Sequence, residues 1–171
     1  MAEILVLRVI HVLGGMFWVG GMFFNSFFLM PAMVSAGPAA GPVMGGLQRR
    51  KLFVVLPIIA ILTILAGIRL LWITSGGFTP AYFTTGRGIT FAASGGAAIL
   101  AFLLGMIVTR PIAGRMGTLR QEMGATQDAQ ARSRLEAEMS RLQRRMQSMG
   151  ILLNALLLFA ALGMAVGRYV G

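Results

Sequence analysis

His11-Val-Leu-Gly-Gly-Met-Phe-Trp18-Val-Gly-Gly21 is the stretch that decides the fold. It lies inside an uncharged run from Val9 to Met30. At 1.5 Å per residue, about 20 such residues cross the hydrocarbon core of a bilayer as a helix. The run holds the only His of the chain. His11, Trp18 and Asn25 recur every seven residues, as do Gly14 and Gly21. On a helix these positions form one stripe, slightly under-wound relative to 3.6 residues per turn. The stripe is small, aromatic and polar, whereas Val12, Leu13, Phe17, Val19, Phe23, Phe24 and Phe27 beside it are bulky and apolar. Hydrocarbon is a poor solvent for imidazole and amide groups, so the stripe is expected to face other helices.

Composition extends this to the whole chain. Of 171 residues, 57% are hydrophobic and only 12% charged, the balance of a multispan membrane protein in one domain, 1–171. The net charge of +10 does not indicate nucleic acid, because the basic residues cluster beside apolar runs. That placement reads as topology and contact with anionic headgroups of the lipid bilayer. With no Cys, disulfides, thiolate metal sites and cysteine nucleophiles are excluded. The N-terminus has no basic segment ahead of its apolar run, and reads as a retained first span.

Four apolar segments follow, at about 4–34, 52–74, 88–109 and 150–168. Pro31 lies near the end of the first, and Ser35 to Gly46 reads as a Gly/Pro-rich connection. Pro57 falls in the first turns of the second span, where its missing N–H costs least. Thr84 or Thr85 is placed to cap the third, and Ala97, Ala101 and Gly105 give that helix a small-residue row. From 110 to 149 the composition turns polar, yet Ile112, Met116, Leu119 and Met123, then Leu135, Met139, Leu142, Met146 and Met149, step by three or four. That is the seam of an antiparallel helical hairpin, with Gly124 ending one helix and Thr126 or Asp128 starting the next. The expected fold is therefore all-α: a four-helix transmembrane bundle whose third and fourth spans extend into a hairpin.

Eleven basic residues lie on the two connections at the hairpin end, against four (Arg8, Arg69, Arg87 and Arg168) on the other side. The positive-inside rule then puts the hairpin in the cytoplasm and both termini outside.

This topology gives the polar residues depths. His11 and Arg69 both fall roughly 5–10 Å below the outer interface, with Arg8 and Arg87 above them. An imidazole with guanidinium groups beside it suits a haem: His11 as axial ligand, Arg for the propionates. Met16 and Met22, with His11, offer thioether and imidazole to Cu(I). Each has a plainer role. Arg69 near a helix end snorkels to headgroups, His11 packs through a hydrogen bond, and Met fills helix seams. Asn25 and Asn154 fit an interhelical hydrogen bond. No span contains Asp or Glu, which argues against a carboxylate proton relay, and phosphate-loop, dinucleotide and zinc-hydrolase motifs are absent.

His11-x6-Trp18-Val-Gly-Gly21 followed by Pro31, then Arg87-Gly-Ile-Thr, Arg110-Pro111 and Met164-Ala-Val-Gly-Arg168-Tyr169, resembles the copper-resistance D (CopD-like) superfamily of small bacterial membrane proteins, itself similar to the haem-containing HemJ-like protoporphyrinogen oxidases. The resemblance covers most of the four spans. It implies a helical bundle in the bacterial inner membrane, with a haem b or copper role in redox or metal handling. His11 matches the His of the first span; the stripe and the depths, not the resemblance, group Trp18, Arg69 and Arg8 with it around a cofactor. The chain departs from that pattern in lacking a second His. The oxidase-like branch carries a Lys in a later span; the nearest basic residue here, Arg69, does not match it, so no enzymatic activity carries over. Two other functions stand beside the redox one. One is a non-catalytic subunit or scaffold, holding a membrane-protein partner or a second copy of itself; the other is a copper permease.

Overall fold

A computed structural model describes residues 1–170, apart from the side chain of Pro38. Among these residues every regular element is helical. Helix α1 (Ala2–Phe24) passes through one π-helical turn (Asn25–Leu29) into α2 (Met30–Ala36), giving a first continuous span. A 3-10 turn (Gly37–Ala39) and α3 (Ala40–Arg49) lead to α4 (Leu52–Thr74). A second 3-10 turn (Pro80–Thr84) precedes α5 (Gly86–Leu104), which continues through another π-helical turn (Gly105–Thr109) into α6 (Arg110–Ala125). Helix α7 (Ala129–Val166) ends in a 3-10 turn (Gly167–Tyr169). Four of these rods are long and apolar enough to cross a bilayer, and the chain is a multi-pass membrane protein with an all-α fold.

The surface agrees with that solvent. Phe17, Phe28, Leu65 and Ile107 are each more than half exposed, an arrangement that water would penalise and lipid accepts. Because hydrocarbon gives helices no hydrophobic drive to associate, close packing must hold them. It does so in two antiparallel pairs, α1 with α4 and α5 with α7. In the first pair a β-carbon at Gly14 would collide with Thr63 Oγ1, so the helices meet at backbone distance. In the second, Gly163 rests on Ser94 in the same way. The pairs join through a core of Trp18, Ala60, Ala101, Leu153 and Leu157. There Trp18 meets Phe102 edge to face, centroids 6.3 Å apart.

The two π-helical turns have one cause. Each is followed by a proline two residues on, Pro31 and Pro111. In a regular helix the proline ring would strike the carbonyl four residues back. The widened turn removes that clash, the Met30 amide bonding to Asn25 O and the Arg110 amide to Gly105 O. The sequence places these prolines at the span ends but does not foretell the wide turns. Nor does it foretell α3: the Gly/Pro-rich connection is largely helical. Gly37, at φ 53°, ends α2, and Pro42 falls in the first turn of α3, where amides have no helical partner anyway.

The hairpin forms where expected. Ile112, Leu119 and Met139 are buried in its seam. Asp128 caps α7 by accepting from the Gln130 and Ala131 amides, both at 3.1 Å. Arg115 of α6 forks onto both carboxylate oxygens of Glu138 on α7, at 2.9 and 3.0 Å, and reaches Glu122 at 3.1 Å. At the opposite end Thr85 caps α5, accepting from the Gly88 amide at 3.0 Å.

Candidate functional site

Residues 11, 14, 18 and 21 fall on the side of α1 that meets the rest of the bundle, because the seven-residue repeat keeps them in one stripe. Trp18 is 6% exposed and His11 is half-buried. The His11 ring lies against α4. Its Nδ1 is 2.8 Å from the carbonyl oxygen of Thr63. That oxygen only accepts, so Nδ1 carries the proton, and in the neutral ring the lone pair resides on Nε2. Nε2 has no hydrogen-bond partner among the described residues.

Helix α4 is built to receive the ring. In an α-helix the Thr63 carbonyl points along the axis toward residue 67. A side chain there would cover it, but residue 67 is Gly: a β-carbon would come 2.7 Å from His11 Cε1 and 2.9 Å from Nδ1. The Thr63 hydroxyl does not compete, since it donates to Ile59 O at 2.8 Å, one turn back along its own helix. Thr63 is itself buried, 5% exposed. Gly14, Thr63 and Gly67 thus let an imidazole dock on a backbone carbonyl inside an apolar bundle.

Across the bundle, α1 and α5 run in the same direction. The seven-residue step from Trp18 back to His11 corresponds on α5 to the step from Phe102 back to Gly95. At Gly95 nothing stands within 4 Å of a β-carbon position, and at Gly15 only Thr63 Cγ2 does, at 3.7 Å. Two apolar grooves open on the lipid side, neither lined by His11. One, about 270 Å³, lies between α1 and α4 beside Gly14 and Phe17; the other, about 410 Å³, lies between α5 and α7 beside Thr90 and Phe159.

The other expected site residues do not gather at His11. Trp18 belongs to the core, two turns along α1. Arg69, two residues beyond Gly67 and so on another face of α4, pairs with Glu3 at 2.7 Å near the chain start. Arg8 is exposed and unpaired among the described residues. Met16 is 67% exposed to lipid, about 140° around the helix from His11. Met22 packs on the core cluster, about 16 Å along the axis from His11. His11, Met16 and Met22 therefore share no centre, and among the described residues no three His, Cys, Asp or Glu side chains form a metal-binding group. A second polar contact lies toward the hairpin end, where Asn154 Nδ2 donates to Ser26 Oγ at 2.8 Å and to Gly150 O at 2.7 Å. Asn154 was the expected partner on α7; the residue on the first span is Ser26, next to Asn25.

Thr63, Gly67 and Glu3 are not among the residues that the sequence singles out. A visible signal existed for two of them: Thr63-xxx-Gly67 is a small-residue pair matching Gly14 on the facing span. No protein-family model, curated protein or solved structure matches the chain.

Proposed function

We propose that the chain is a CopD-like membrane protein that holds a haem through His11 and serves in redox or metal handling. The observation that carries this is the His11–Thr63 contact. A ligating His characteristically donates its other ring N–H to a carbonyl, which fixes the tautomer and orients the metal-binding nitrogen. Here Nδ1 is so engaged and Nε2 is the free lone pair. Gly67 gives the ring its place against α4, and at Gly15 only Thr63 Cγ2 comes within 4 Å of a β-carbon position.

His11 Nε2 is the nitrogen that would hold a haem b. When bound, such a haem supplies one-electron chemistry, its potential set by the axial ligand and the polarity around it. His11 would ligate, Thr63 would hold the imidazole and Gly67 would give it room; Arg8 is the free cation nearest in sequence for a propionate. The thioether copper site does not fit, because Met16 lies on another face of α1 and Met22 lies about 16 Å along the axis from His11. A copper permease that depends on them is correspondingly disfavoured.

Absorption spectra and metal analysis of detergent-purified protein test the proposal. A Soret band in the wild type that His11→Ala abolishes while leaving a folded bundle supports it. A colourless protein from haem-replete cells refutes it.

The scaffold reading retains one supporting observation: a helical hairpin projecting beyond the apolar spans, with polar faces turned outward. Colourless protein that co-purifies with a larger assembly would favour it. We further propose that the membrane is the bacterial inner membrane, with the hairpin on the cytoplasmic side and the termini outside, from the eleven-to-four basic asymmetry. Labelling of a Cys placed at position 125 from outside the cell would overturn that orientation.

A further inference from the structure

The chain has five acidic residues, and their positions are uneven. Glu3 is near the chain start, paired with Arg69. The other four, Glu122, Asp128, Glu136 and Glu138, all lie in the distal part of the hairpin. There they face Arg115, Arg120, Arg132, Arg134 and Arg141, and Arg115 and Arg132 are ion-paired. The tip is within one charge of balance. The hairpin end of the bundle itself is not: Arg49, Arg50, Lys51, Arg110, Arg144 and Arg145 ring it with no acidic residue among them. All six are exposed, and none is in an ion pair among the described residues.

Their depth is set by the helices. Arg49 to Lys51 directly precede the apolar run of α4, which opens at Leu52; Lys51, left-handed at φ 56°, makes the turn. Arg110 directly follows the third apolar run. Arg144 and Arg145 lie five to six residues before Gly150, about 8–9 Å beyond the hydrocarbon edge. The headgroup layer on each side of a bilayer is about 5–8 Å thick, so the cations sit in it or at its rim. Six like charges so placed repel one another unless counter-charge is present, and the chain supplies it only at the tip.

We propose that this collar binds anionic phospholipid, with the guanidinium groups of Arg49, Arg50, Arg110, Arg144 and Arg145 and the Lys51 ammonium holding headgroup phosphates. Arginine forks match phosphate oxygens, and cationic residues at an anionic surface each favour association several-fold. The site stands apart from His11 and does not depend on which side of the membrane the hairpin occupies.

The test uses full-length protein in vesicles of equal phosphatidylcholine and phosphatidylglycerol, extracted gently, with the retained lipid quantified. Phosphatidylglycerol should exceed phosphatidylcholine about fivefold or more at low salt. At 1 M salt, where the screening length falls to about 3 Å, the excess should collapse. Arg144→Gln with Arg145→Gln should lower it at least twofold, and Arg120→Gln with Arg134→Gln at the tip should leave it unchanged. If the first pair of substitutions unfolds the protein, Arg49→Gln with Arg50→Gln takes its place. A retained ratio near one, equal loss from collar and tip variants, or displacement of the lipid by millimolar inorganic phosphate would each overturn the proposal. So would an acidic protein co-purifying through Arg144 and Arg145 while the lipid ratio stays near one.

Discussion

The imidazole of His11 lies on Gly67 so closely that a β-carbon there would come 2.7 Å from Cε1. Gly67 is thus a requirement of the His11 position. Gly67→Ala should force the ring off the Thr63 carbonyl and cost about 1–3 kcal/mol, as overpacking of a tight contact does. Gly95→Ala, where nothing stands within 4 Å, should be neutral or slightly stabilising through helix propensity. Thermal unfolding in one detergent decides between them. A Gly67→Ala protein as stable as the wild type would mean that the ring has somewhere else to go.

Asn154 ties α7 to the first span through Ser26 at 2.8 Å. Side-chain hydrogen bonds between membrane helices are worth about 0.6 kcal/mol on average, because the separated helices find other partners. A double-mutant cycle of Asn154→Ala and Ser26→Ala should return a coupling of about that size. Strict additivity would show that the contact contributes nothing.

Glu138 titrates below the ordinary carboxylate range. The chief cause is the hydrogen bond from Arg115; burial opposes it, and the charges of Arg115 and Arg141 reinforce it. A carboxylate with a lowered folded-state pKa contributes stability above its unfolded pKa and loses it as pH falls through the folded value. The hairpin should therefore hold constant stability near neutrality and loosen only in acid, below the usual carboxylate range. Amide exchange across α6 and the first turns of α7 measures this. Glu138→Gln should give faster exchange at neutral pH and flatten the acid dependence; an unchanged acid profile in that variant would remove Glu138 from the account.

The π-helical turn before Pro111 adds one residue relative to a regular helix, and the seam residues Ile112 and Leu119 are phased by it. Deleting Ile107, which is 70% exposed, together with Pro111→Ala should convert the turn to regular helix and keep the hairpin seam. Deleting Leu100, within the regular part of α5, should instead rotate everything beyond it by about 100° and abolish folding. Equal tolerance of both deletions would contradict the phasing.

The spans and the hairpin were legible because their signals are periodic and long: apolar runs, and a seam stepping from Ile112 to Leu119 and from Leu135 to Met149. His11 was legible as inward-facing for the same reason. Its partner was not, because the accepting group is a backbone carbonyl, which no residue type announces. Thr63 and Gly67 matter for the backbone atoms they expose and the bulk they lack. Depth alone places Arg69 with His11, whereas its azimuth on α4 points it to Glu3. Depth follows from counting residues, but azimuth follows from which helices are neighbours, and the pairing of α1 with α4 appears only in the fold.

Above all, His11 is expected to keep its proton on Nδ1 and to offer Nε2 as a lone pair inside the bundle. Since the chain has a single His, nitrogen-15 NMR of histidine-labelled protein in lipid reports this ring alone. A protonated Nδ1 beside an unprotonated Nε2, altered by Gly67→Ala, is the predicted spectrum. A proton on Nε2 with Nδ1 bare would contradict it.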